Sequence, residues 1–189
     1  MRDLLLEAEA YAAEKTNDVL IKAVAQAYAD GYRKGYEDCK ATIPVKLHAG
    51  DIVYVDLGLP SGTLWASEYV KEKGKVLYLP YCEAKRYQLP TKEQWEELVK
   101  VCRFLYETET WGDIEELKKA TCIGPNGKSI IFGGEGMYKG EELIDGIAFT
   151  WLKEESDTYI NKAACIRYKS KDVIEIYSGY KLPIKLVKK

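Results

Sequence analysis

The sequence predicts an α+β protein in which a long N-terminal α-helix precedes one compact domain of short antiparallel strands. Three observations predict it. Residues 1–39 hold no proline, and no glycine before Gly31, and are rich in the good helix formers Ala, Leu, Glu and Lys. Beyond Gly50, strand-like segments alternate with turns. Helices sit near the front of this second region and do not alternate with the strands, which separates α+β from a parallel α/β arrangement.

The helix is read over residues 1–40. Small or apolar residues recur at Leu6, Ala10, Ala13, Leu20, Val24 and Ala27, the alternating four-three spacing of a coiled-coil seam, and Asn17 fills the polar position that can fix register in such a seam. Two readings stand for this stripe: self-association as a dimer or trimer, or packing on the chain's own domain. Tyr28, Tyr32 and Tyr36 share one face at the helix end, with Gly31 and Gly35 beside them. Two glycines cost roughly 1 kcal/mol each in helix propensity, so a close backbone contact is expected to compensate.

Pro44 and Gly50 break the periodicity and mark a linker over residues 41–50, leaving residues 51–189 as the second domain. Its clearest strands are Asp51–Leu57, Ser129–Phe132, Ala163–Tyr168, Val173–Tyr177 and Leu182–Val187. Pro90 followed by Thr91-Lys92-Glu93-Gln94 is a capping box, and Trp95, Leu98, Val99 and Cys102 then fall on one helical face. A second, weaker helix is expected over Trp111–Ala120.

Charge is nearly balanced, 28 basic against 30 acidic residues, so no global field draws the chain to nucleic acid. Lys185, Lys188 and Lys189 read as a solvated tail. No apolar run approaches ~20 residues, so no membrane span is expected, and the acidic start lacks the apolar stretch of a signal peptide. Five scattered cysteines, without a Cys-x-x-Cys pair and with His48 as the lone histidine, point to free thiols in a reducing compartment and to no metal or other cofactor.

Val55-Asp56-Leu57-Gly58-Leu59-Pro60-Ser61-Gly62-Thr63-Leu64-Trp65-Ala66 resembles the opening motif of the Fibrobacter succinogenes major paralogous domain, common in Bacteroidetes and their phages. Arg86-Tyr87-Gln88-Leu89-Pro90-Thr91-Lys92-Glu93-Gln94-Trp95-Glu96-Glu97-Leu98 is similar to that family's second signature and to formylglycine-generating-enzyme-like domains. Gly124-Pro125-Asn126-Gly127-Lys128-Ser129-Ile130-Ile131-Phe132 resembles its third. The resemblance implies a C-type-lectin-like fold over about residues 52–187. Trp65, Pro90, Thr91 and Trp95 are expected to be scaffold. The segment between Ala66 and Arg86 is shorter than in that family, and Gly133-Gly134-Glu135-Gly136 replaces a proline-and-alanine segment.

Catalysis is not expected. Formylglycine-generating relatives need a close cysteine pair, and only Cys165 lies in the last third of the chain. His48 alone offers no convincing base for a nucleophile. Paired carboxylates such as Glu96 and Glu97 read as solvated surface, and Gly133-Gly134-Glu135-Gly136 as a flexible loop lacking the Lys-Ser/Thr of a phosphate loop. What remains is a non-catalytic binding or structural module. The expected placement is a phage virion, as fibre, decoration or receptor-binding protein; the alternative is an intracellular or surface bacterial protein. Tyr138, Trp151, Tyr159, Tyr177 and Tyr180 are the aromatics expected to meet a glycan or protein receptor.

Overall fold

The structure, a computed structural model, describes residues 52–112, 114–154 and 160–189, together with helical residues at 19–24, 26, 27, 30, 31 and 34. The chain divides into two compact units, Met1–Ile43 and Pro44–Lys189. The second unit is built from strands β1 (Tyr54–Asp56), β2 (Leu64–Ala66), β3 (Lys71–Glu72), β4 (Lys75–Val76) and β5 (Tyr78–Leu79). Helices α1 (Tyr81–Ala84) and α2 (Lys92–Val101) follow. Then come β6 (Arg103–Trp111), β7 (Ile114–Ile123), β8 (Ser129–Gly133), β9 (Met137–Lys139) and β10 (Glu142–Ile144). The chain closes with β11 (Ala148–Trp151), β12 (Ile160–Arg167), β13 (Ser170–Tyr177), β14 (Leu182–Pro183) and β15 (Val187–Lys188).

This corrects the α+β, C-type-lectin-like expectation with its long N-terminal helix. Strand makes up most of the regular structure, the helices are short, and no long N-terminal helix appears among the described residues. Leu20, Val24 and Ala27 are helical and exposed. Leu6, Ala10, Ala13, Asn17, Tyr28, Tyr32 and Tyr36 lie outside the described residues.

The largest departure within the domain is the stretch read as a second helix, Trp111–Ala120. It forms the turn of a hairpin and most of β7, paired with β6 from Arg103↔Ile123 to Trp111↔Ile114 and with β8 on its other edge. Glu, Leu, Lys and Ala are good helix formers, yet the strand register buries Leu117, Ala120 and Cys122 completely, and that burial overrides propensity.

Two buried clusters fill the domain. One gathers Trp65, Trp95, Leu98, Phe132 and Leu117; Trp65 and Trp95 stand edge-on to Phe132 at centroid distances of 6.4 and 5.8 Å. The other gathers Leu89, Phe149, Trp151, Leu182, Ile184 and Leu186. Pro90 is buried beside them.

Gly133-Gly134-Glu135-Gly136 is not a loose loop. Gly134 N–H donates to Lys118 O at 2.8 Å, Gly146 N–H to Gly134 O at 3.0 Å, and Gly136 N–H to Ile147 O at 2.9 Å. A Cβ at Gly134 would stand 1.7 Å from Leu117 O, and one at Gly136 1.8 Å from Ile144 O. Glycine is required because three backbone segments cross there. Gly134→Ala is therefore expected to lower unfolding free energy by ~3 kcal/mol in urea titration. Gly140→Ala, at φ +67 but with open space around it, should lose only ~1 kcal/mol.

Candidate functional site

The site is built from the first two sequence motifs and the chain end. After β1 the backbone turns sharply, with Gly62 N–H donating to Leu59 O at 2.9 Å and Gly62 at φ +70. The turn is held from outside by the third motif: Asn126 Nδ2 donates to Asp56 O at 2.8 Å, and a Cβ at Gly124 would lie 2.1 Å from Leu57 O. This presents Ser61 and Thr63 to the start of α2.

Thr91 caps α2 as its sequence requires. Its hydroxyl accepts from Gln94 N–H at 3.2 Å, and Gln94 Oε1 accepts from Thr91 N–H at 2.9 Å. The same Gln94 donates through Nε2 to Thr63 Oγ1 at 3.3 Å, so one side chain serves both the cap and the turn. Ser61 Oγ lies 2.7 Å from Thr63 Oγ1. Glu97, one helical turn further on, accepts from Ser61 N–H at 2.8 Å and from Ser61 Oγ at 2.5 Å. The result is a continuous chain of hydrogen bonds from Glu97 through Ser61, Thr63 and Gln94 to Thr91.

These groups line a cleft of about 510 Å³, within the range of small-ligand sites. Buried Leu89 and Val187 supply apolar lining, while Glu93, Lys153 and Lys189 bring charge of both signs. Val187 N–H donates to Gln88 O at 2.9 Å and Lys153 N–H to Pro90 O at 2.7 Å, which fixes the far walls. The carboxyl of Glu93 is held below its ordinary range, first by its own backbone N–H and then by the Thr91 hydroxyl. Such an arrangement can hold a polar ligand by hydrogen bonds. Among the described residues it sets no imidazole or thiol beside Ser61, and no group of three or more His, Cys, Asp or Glu is placed to hold a metal.

Of the aromatics expected at a binding surface, Trp151 is core. It is fully buried, donates through Nε1 to Leu79 O at 2.8 Å, and packs edge-on against Tyr81 at 5.4 Å. Tyr177 and Tyr180 come together at 5.5 Å, and Tyr138 packs on Tyr78 at 4.9 Å. None of these lines the cleft. Tyr159 lies outside the described residues.

Sequence reasoning treated Thr91 as scaffold and Glu97 as solvated surface, and gave Ser61 and Thr63 no role beyond their turn. The capping box signalled half of the network; the contact across 36 residues had no sequence signal. Among the cysteines, Cys102, Cys122 and Cys165 are free thiols, whereas Cys82 is disulfide-bonded, which corrects the expectation of free thiols throughout. No family model, curated protein or solved structure matches this chain.

Lys185 also departs from its reading as solvated tail. It is completely buried within the run Leu182–Val187. Its Nζ donates to Ser67 O at 3.1 Å and to Ile131 O, and stands 4.7 Å from the ring centroid of Phe132 and 5.4 Å from that of Tyr69. Burial pushes its pKa down to about 7, against the upward pull of Cys122, Glu68 and Glu135. Because the folded value lies below the ordinary value of 10.5, the unfolded chain binds more protons between those values, and stability gains from this group as pH rises. Between pH 7 and 9 unfolding free energy is expected to rise with pH, by about 1 kcal/mol per pH unit in urea titrations. In Lys185→Met this contribution should vanish.

Proposed function

We propose that this chain is a non-catalytic binding module that takes a polar ligand, rich in hydroxyl or amide groups, in the cleft before α2. The observation that carries the reading is the hydrogen-bonded chain from Glu97 to Thr91, which holds five polar side chains in fixed positions along one open cleft. Groups already ordered in the free protein need not lose that freedom on binding, which is what preorganisation contributes to affinity. The charged rim of Glu93, Lys153 and Lys189 suits ligands of mixed polarity better than a uniform polyanion.

The reading includes assembly through the N-terminal unit. Val19, Leu20, Ile21 and Val24 are helical yet 66, 62, 65 and 63 % exposed. Four large aliphatic side chains so close together in water support a protein partner, a second copy of the chain among them. Placement on a virion surface is a further part of the proposal and rests on the motif resemblance alone. Purified particles that lack the chain while host cytosol contains it would rule that placement out.

The ligand is sought by screening the full chain against glycan and peptide arrays. Thr63→Val, which removes the buried hydroxyl that ties Ser61 to Gln94, frees those two side chains from the network and is expected to weaken any true cleft ligand about tenfold. Binding that is indifferent to Thr63→Val, or absent from both arrays, defeats the proposal. Assembly through the helix is tested separately by light scattering of Leu20→Glu/Val24→Glu, which should lower the solution mass relative to the unsubstituted chain.

A further inference from the structure

The hairpin that the sequence hid supplies a second surface, distinct from the residues of the cleft. Strand β6 is the edge of the sheet ordered β6-β7-β8, and it runs for nine residues. An edge of that length presents a row of backbone donors and acceptors that another strand can pair with. Natural edges are commonly blunted by charge, and β6 does carry charge. Its arrangement is what differs.

Successive residues of a strand alternate between faces. Arg103, Leu105, Glu107, Glu109 and Trp111 share one face of β6, and every one of them is exposed. Leu105 keeps 49 % of its surface in water and Trp111, on the same face, 62 %. The opposite face carries Phe104 and Tyr106, half-buried and stacked on each other with centroids 6.4 Å apart.

From this pattern we infer that β6 pairs with β6 of a second copy, antiparallel, about a two-fold axis through Leu105. In that register Leu105 meets Leu105 of the second copy. Arg103 meets Glu107 of the second copy, and the symmetry repeats this ion pair on the other side of the axis. On the other face Phe104 meets Tyr106 of the second copy, again twice. Moving the axis two residues to Glu107 would place like charges face to face, which disfavours it. A self-complementary edge of this kind closes on itself as a dimer and leaves no free copy of the same edge for fibre growth.

Facing residues of an antiparallel ladder lie about 4.5–5.5 Å apart at Cα, within reach of a disulfide. The test therefore uses the full chain carrying Leu105→Cys, with the unsubstituted chain and Glu109→Cys as controls. All are treated with a low-molecular-weight disulfide as oxidant, and linked dimer is read on a non-reducing gel. Leu105→Cys is expected to link at least ~10-fold faster than Glu109→Cys, because only the axial position faces its own copy. Adding Arg103→Glu should slow the linkage, and adding Arg103→Glu with Glu107→Arg should restore it. The rate should persist when Leu20→Glu/Val24→Glu is also present, which separates this edge from assembly through the helix. Equal rates for the two cysteine positions, or no response to Arg103→Glu, would overturn the inference.

Discussion

The two halves of the core meet at the buried amino group of Lys185, and the surrounding backbone is arranged to satisfy it. Lys185 lies in the segment between β14 and β15, whose neighbours Ile184 and Leu186 belong to one apolar cluster, while its Nζ lies over Phe132 and Tyr69 of the other. A charge in that position is tolerable only with close compensation. Carbonyl oxygens from Ser67 and Ile131 and two ring faces provide it. The backbone around the group is tied as well: Ile131 N–H donates to Ser67 O at 2.8 Å, and Lys185 N–H to Thr150 Oγ1 at 2.9 Å. The exit of β2, the centre of β8, strand β11 and the C-terminal segment are therefore fixed to one another. That last segment continues into Val187 and Lys189, which line the cleft.

The cleft shows a second kind of economy, in which the same residues fold the chain and shape the site. Gln94 completes the α2 cap and steadies Thr63; Glu97 anchors the turn through both hydroxyl and backbone of Ser61. Residues that serve the fold in this way are positioned more rigidly than residues on a free loop, and a site built on them starts with less disorder to lose. The aromatic pairs Tyr177–Tyr180 and Tyr78–Tyr138 lie elsewhere and stabilise sheet edges and turns.

Close backbone crossings explain how so many short strands hold together. The six sheets of two or three strands among the described residues would be weak separately. The β6-β7-β8 sheet is joined to β9, β10 and β11 where Gly134 and Gly136 let carbonyls of Leu117 and Ile144 approach. The long hairpin of β6 and β7 extends from this junction and carries ion pairs Lys119–Glu107 and Lys118–Glu109, at 2.6 and 2.7 Å, along its exposed surface. Their stabilising effect is modest because the side chains remain in solvent.

By itself the sequence determined what local chemistry can determine. The capping box set the start of α2, the Gly58-x-Pro60-x-Gly62 pattern set the turn after β1, and the strand-like segments Ser129–Phe132, Ala163–Tyr168 and Val173–Tyr177 fall on β8, β12 and β13, with Tyr168 one residue past the end of β12. Tertiary structure decided the rest. Residues 114–120, read as the greater part of a helix, become strand because β6 pairs along them and β8 pairs with the end of β7 from Lys119 on. Lys185 looks like a solvated end and is buried because carbonyls distant in sequence converge on it. Trp151 looked available for a ligand and became core because Leu79 O captures its indole N–H. In each case the deciding energy comes from groups far apart along the chain, to which local composition and periodicity are blind.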